Sequence, residues 1–403
     1  MNARHLAPHA RSRRHAATLA AAPLCLMVAA CAGTNRGSAV PDNLADQAVV
    51  FGMPEIRSWG TPLSRPFVDE ITKVAMREVD RARRTDGSLS PVNFLAISGG
   101  GCDGAFGAGL MNGWSDAGTR PEFKLVTGIS TGALSAPFAF LGQKYDKQLR
   151  EVYTTVTTQE IMRPRGVLAL LLSDSMADTE PLRGLVKKLV TVEMMKDIAT
   201  EYERGRILLI GTTNLDSLRG VIWNVGALAA SGHPGALDLI HKIMVGSAAI
   251  PAAFPPVMVD VSINGKAYQE MHVDGGTRAQ VFLYPPSYTG IQTSGIHRER
   301  HAYIIRNSRV DPQWAETRPR VMPIASRAIA SLIQTQGVGD LYKLYVTAQR
   351  DGVDYNLAAI PQDFKMEYKE EFDPVYMKAL YDVGYKMARN GYPWAKQPPG
   401  YTD

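Results

Sequence analysis

A serine between two glycines, a longer run of glycines and an aspartate at a turn are the residues of this chain best suited to chemistry. Gly128-Ile129-Ser130-Thr131-Gly132 has the G-x-S-x-G pattern. On a sharp strand-to-helix turn, that pattern lifts the serine oxygen clear of the backbone, and the glycines remove side chains that would collide with it. The plain alternative is a serine capping a helix N-terminus. Ser98-Gly99-Gly100-Gly101-Cys102-Asp103-Gly104 contains G-x-G-x-x-G. Free N–H groups in such a loop hold an anion, either a phosphate or the oxyanion of a reaction intermediate. A close-packed turn between strand and helix would need the same glycines. His272-Val273-Asp274-Gly275-Gly276 is a turn by composition. It gains interest because a serine nucleophile needs a base.

For Ser130 and Asp274 to meet, 144 residues apart, a sheet must bring their loops to one edge. Apolar runs predict strands at Val92–Ile97, Phe123–Val126, Ile207–Ile210 and Ala302–Ile305. Helical spacing lies between and around them, at Phe67–Arg84, Gly104–Trp114, Gly132–Leu141, Pro181–Ile198, Ala236–Val245, Arg318–Gln349 and Pro374–Arg389. Strands alternating with helices indicate an α/β chain with a mainly parallel sheet. Both glycine motifs fall directly after a strand, and Ser247–Val257, rich in Pro and Ala, reads as an irregular crossover. Residues 67–395 are expected as one domain, and 396–403 as a tail.

The chain has 403 residues, 45% hydrophobic and 21% charged, which is globular rather than disordered. Its net charge of +5 is mostly terminal. The first thirty residues hold Arg4, Arg11, Arg13 and Arg14 and no acid, so the remainder stands at +1. A nucleic-acid partner is therefore not expected. The three cysteines, Cys25, Cys31 and Cys102, provide no disulfide framework or Cys-rich metal site. His233, His241, His272, His297 and His301 lack metal-ligand spacing, so no metal is expected.

Basic residues followed by an Ala/Leu-rich run make residues 1–30 an export signal. It ends in Val28-Ala29-Ala30-Cys31, which resembles the lipobox of bacterial lipoproteins. That resemblance implies acylation of Cys31, a membrane surface reached through the lipid anchor, and location in a bacterial cell envelope. Residues 31–66 read as tether and linker, with Pro41, Pro54, Pro62 and Pro66. Val167–Leu172 is apolar enough for a lipid-facing lid, with a core helix as the plainer role.

Taken in order, G-G-G-x-x-G from Gly99, G-I-S-T-G from Gly128, S-x-x-I-P-x-x-F-P-P from Ser247 and D-G-G from Asp274 resemble the patatin-like phospholipase family over about residues 92–305. The resemblance implies a three-layer α/β/α fold, lipid acyl-ester hydrolysis without a cofactor, and a Ser–Asp dyad. Ser130 would be the nucleophile and Asp274 its base. The backbone of Gly99, Gly100 and Gly101 would form the oxyanion hole, with Gly104, Gly128, Gly132, Gly275 and Gly276 shaping the loops. The family loop usually carries Arg or Lys where this chain has Asp103. A carboxylate there is expected to cap the following helix and to disfavour anionic substrates. Two other readings compete: a dinucleotide-binding Rossmann domain, using Gly99–Gly104 with Glu122 as the ribose acid, and a non-catalytic surface lipoprotein that keeps the fold. A P-loop is excluded because no Gly-Lys-Ser/Thr follows the glycines.

Overall fold

Alternating side chains sort the central strands into two cores. In the computed structural model, which describes residues 36–84, 89–164, 175, 177–293 and 295–401, Leu95 and Ile97 enter one apolar cluster while Phe94 and Ala96 enter another. These residues lie on the same strand, so its two faces are both buried, as expected of a sheet between helix layers. The expected signal at 1–30, Cys31 and the 167–172 segment lie outside the described residues.

Nine strands form the sheet: β1 (Arg57–Trp59), β2 (Val92–Ile97), β3 (Leu125–Ile129), β4 (Ile207–Asn214), β5 (Arg219–Asn224), β6 (Val257–Ile263), β7 (Lys266–Asp274), β8 (Arg300–Arg306) and β9 (Asp354–Ala359). Their order is β1-β5-β4-β3-β2-β8-β9, with the β6–β7 hairpin attached to β4 through β7. β4, β3, β2, β8 and β9 are mutually parallel, and β1, β5, β6 and β7 add antiparallel pairings. The principal helices are α1 (Arg65–Arg83), α2 (Gly104–Asp116), α3 (Thr131–Leu141), α4 (Asp146–Thr155), α5 (Glu180–Leu189), α6 (Val192–Glu203), α7 (Val225–Ala230), α8 (Ala236–Ser247), α9 (Val321–Asp351) and α10 (Pro374–Arg389). Leu341, Leu344, Tyr345 and Ala348 of α9 cover one face of the sheet, and α2, α3 and α10 contribute to the core on the other. The result is the three-layer α/β/α arrangement.

The 181–198 pattern divides in two. Thr191 starts a new helix by accepting from the Met194 amide at 3.3 Å, so α5 and α6 replace the single expected helix. Much of the expected linker is also built into the fold. Ala39 bridges Gln269, Val49 bridges Ser262, and β1 pairs with β5. The Arg57 guanidinium is bound to the buried Glu270 carboxylate. The expected tail is likewise anchored: Lys396 pairs with Asp354 at 2.9 Å, and Tyr342 donates to the Pro399 carbonyl at 2.9 Å.

Helices α2 and α10 touch backbone to backbone. A Cβ on Gly109 would lie 2.0 Å from the Tyr381 carbonyl oxygen, and one on Gly384 would lie 2.3 Å from that of Phe106. Gly109→Ala must therefore push the helices apart, at an expected cost of about 1–3 kcal/mol. A lowered midpoint of urea unfolding checks this, and an unchanged midpoint contradicts it.

Candidate active site

The site is assembled along one edge of β4. Strand β3 pairs with that edge as far as Ile129 opposite Gly211. Strand β5 holds the other edge, so β7 takes over where β3 leaves, with Asp274 opposite Thr212. Ser130 directly follows Ile129, so the two pairings bring Ser130 and Asp274 to the same end of β4, close enough for the Ser130 hydroxyl to favour the ionised Asp274 carboxylate. Their separation of 144 positions is spanned by the adjacent pairings β3–β4 and β4–β7.

Ser130 sits at φ 55° and ψ −125°, a conformation that costs a non-glycine residue about 1–3 kcal/mol. The surroundings hold it there. Its amide donates to Ser247 Oγ at 3.0 Å, and that hydroxyl donates to the Gly211 carbonyl at 2.7 Å. Its carbonyl accepts from Ala133 at 2.8 Å, which starts α3. The turn closes so tightly that a Cβ on Gly128 would lie 2.4 Å from the Gly132 oxygen, and one on Gly132 would lie 2.3 Å from the Ile97 oxygen. The alternative of Ser130 as an ordinary side-chain cap fails, because its side chain makes no capping hydrogen bond.

Asp274 is 5% exposed. Burial pushes its carboxyl up to about 6, against the opposing pull of hydrogen bonds from Ser130 and the Gly276 amide. The Gly276 amide reaches Oδ1 at 2.7 Å. Gly275 lies against the Gly211 carbonyl, with no room for a Cβ. A carboxylate that binds its proton more tightly than usual is better matched to taking one from a hydroxyl.

The glycine loop lies beside Ser130, since a Cβ on Gly99 would be 3.1 Å from that of Ser130. One expected role changes. The Gly99 amide is committed to the Gln280 carbonyl at 3.1 Å, so it is not a free donor for an oxyanion. Among the described residues no acceptor takes the amides of Gly100 and Gly101, which leaves these two as candidate donors. Gly101 has φ 56° and open space at its Cβ position, and it lines the same pocket as Ser130. Gly100 is pressed against the Asn307 backbone, and Gly104 against Thr131. The pocket is apolar, with Leu134, Val156, Leu182, Phe254 and Met377 in its wall.

Asp103 does not cap α2. Its side chain makes no capping hydrogen bond and instead accepts from the Tyr376 hydroxyl at 2.6 Å, tying the loop to α10. Burial, partly offset by that bond and by the field of Arg306, pushes its carboxyl up to about 6. This bond gives Asp103 a structural role between the glycine loop and α10. Glu122 precedes β3, and its carbonyl lies at the start of β2, near Asn93. It is thus at the opposite edge of the sheet from the glycine loop, which removes the ribose contact of the Rossmann reading.

Among the described residues no histidine hydrogen-bonds Ser130 or Asp274. His272 is buried, with Nδ1 bonded to Thr212 Oγ1 at 2.9 Å and Nε2 to Glu270 at 3.1 Å. His241 Nε2 is bonded to the Val190 carbonyl at 2.7 Å, and His233 stacks on Phe51. Sequence reasoning gave no role to Ser247, Gln280 or Asn307. Ser247 opens the S-x-x-I-P motif, and that was its signal. Gln280 holds Gly99 through its carbonyl and Gly276 through its side chain. Asn307 fixes the strand end through Ser98 and Gly107. Among the described residues no cluster of His, Cys, Asp and Glu has the form of a metal site.

Comparison with known proteins adds the following. No curated protein matches the chain. Among solved structures, the crystal structure of VipD from Legionella pneumophila aligns at 12% identity and a TM-score of 0.36, covering 75% of this chain and 67% of that one. The family model described as patatin-like phospholipase matches residues 95–285. The matched stretch holds both Ser130 and Asp274.

Proposed function

We propose that this chain is a serine lipid acyl hydrolase of the phospholipase A or esterase type, working through Ser130 and Asp274. The observation that carries the reading is the placement of the strained Ser130 and the buried Asp274 together at the end of β4, by the pairings β3–β4 and β4–β7. Ser130 Oγ attacks the ester carbonyl carbon as its proton passes to Asp274. The carbonyl oxygen becomes an oxyanion held by the Gly100 and Gly101 amides, each such donor being worth about 10²–10³ in rate. Collapse expels the alcohol, which takes the proton from Asp274. Water then attacks the acyl-Ser130 ester, gives a proton to Asp274, and the acid leaves as that proton returns to Ser130. The apolar pocket next to Ser130 suits an acyl chain. The reaction so written uses no cofactor. The proposal includes attachment to a bacterial envelope membrane through acylated Cys31, carried by residues 28–31 of the sequence.

The pH dependence tests the base. Only ionised Asp274 accepts the proton, and its carboxyl titrates at about 6. The kcat/KM for a soluble ester should therefore rise about tenfold per pH unit below about pH 6 and level off above it. A profile without that rise between about pH 4.5 and 7 contradicts the assignment.

A further inference from the structure

Helix α9 runs for 31 residues, and its two halves differ in their surroundings. From Gly337 onward it packs on the sheet. From Val321 to Gln336 no residue is buried; Val321 is 82% exposed and Leu332 70%. This half is about 24 Å long at 1.5 Å per residue. With about 100° per residue, Val321, Met322, Ala325, Ile329, Leu332 and Ile333 share one arc of about 120°. The opposite side carries Arg327, Ser331 and Gln334 together with Pro323 and Ile324, and it is tied down: Gln334 donates to the Arg309 carbonyl at 3.1 Å, and the Arg327 guanidinium donates to the Gln313 carbonyl. The segment leading into the helix thus holds this side and leaves the apolar side outward.

Two further observations give this side an occupant. Between Glu316 and Asp340 the sequence holds Arg318, Arg320 and Arg327 and no acid. Arg318 and Arg320 are exposed just before the first turn of α9, where the helix dipole is positive. The exposed half also ends at the candidate active site. Gln280 Nε2 donates both to Gln336 Oε1 at 3.2 Å and to the Gly276 carbonyl at 2.8 Å.

We propose that Val321–Gln336 is an interfacial arm that lies on an anionic lipid bilayer, with its apolar side in the acyl boundary and its arginines among the headgroups. It rises from the rim of the Asp274–Gly276 turn and so brings the site to the bilayer. It does not span: among the described residues no helix is long and apolar enough to cross a membrane. A second copy of the chain fits the arm less well, because packing arm on arm adds like charges and no acid to pair with them. The inference concerns binding and goes beyond ester cleavage.

The test uses the full chain carrying Cys31→Ser, so that no lipid is attached at that residue, sedimented with phosphatidylcholine vesicles with and without phosphatidylglycerol. Binding should favour the anionic vesicles and weaken as salt is raised. Ile329→Asp with Leu332→Asp should weaken binding more than about tenfold. Arg318→Gln with Arg320→Gln should weaken it about fivefold per arginine, on anionic vesicles only. Hydrolysis of a soluble short-chain ester should be unchanged in both variants. A chain that binds vesicles in this pattern but cleaves no ester would leave the arm standing and remove the proposed reaction. Vesicle binding unchanged by the aspartates overturns the arm. So does an aspartate-sensitive dimer in sedimentation equilibrium with vesicle binding unaltered, which would make a second copy the occupant.

Discussion

Replacing Ser130 with alanine is expected to lower ester turnover by more than about 10⁴-fold with the fold intact. The size follows from removing the attacking atom: without Oγ there is no acyl-enzyme, and water must attack the ester directly. The fold should persist because the backbone features that hold this turn do not use the hydroxyl. The Ser130 amide would still reach Ser247 Oγ, and the close approach of Gly128 to Gly132 is unaffected. A fluorogenic ester measures the loss, and circular dichroism checks the fold. A folded Ser130→Ala chain that keeps a tenth or more of the parent rate would remove Ser130 as nucleophile.

Asp274→Asn should cost about 10²–10⁴ in kcat/KM. The amide keeps the shape of the side chain and still offers an oxygen to the Gly276 amide, but it does not take the Ser130 proton. The same experiment separates a dyad from a triad. Both ring nitrogens of His272 are occupied, by Thr212 and Glu270. His301 faces Asp354 at 3.2 Å, away from Ser130 in the hydrogen-bond network. Single replacements of His233, His241, His272, His297 and His301 should therefore leave most of the activity in chains that fold. A folded histidine variant as inactive as Ser130→Ala would overturn the dyad.

The parallel strands and the loops that follow them were readable because their signals are local. Val92–Ile97 and Pro374–Arg389 form the elements expected of them with the same limits. The antiparallel part was harder to read. Strand β6 alternates buried and wetter residues, and β5 begins with Arg219 and Gly220, so neither shows a continuous apolar run. The Asn264-Gly265 pair, with φ 49° and 80°, is the hairpin turn between β6 and β7 and was a usable local signal. Residues 39–59 took their structure from partners far along the chain, such as Ser262 and Trp223, and no local periodicity encodes such pairing. The glycine loop shows the same limit within the site. Its sequence placed three amides near Ser130, but the loss of Gly99 to the Gln280 carbonyl depends on a residue 181 positions away. The role of Asp103 is illegible locally for the same reason, because Tyr376 lies on a helix that joins the loop only in the fold.

Activation of Ser130 as a nucleophile beside Asp274 is what the proposed reaction requires. It is tested most directly by treating the full chain with an alkyl fluorophosphonate and locating the adduct by peptide mass spectrometry. A single adduct on Ser130 is expected, formed more slowly in Asp274→Asn and absent in Ser130→Ala. No adduct on the folded chain, or an adduct on another residue that survives Ser130→Ala, would contradict it.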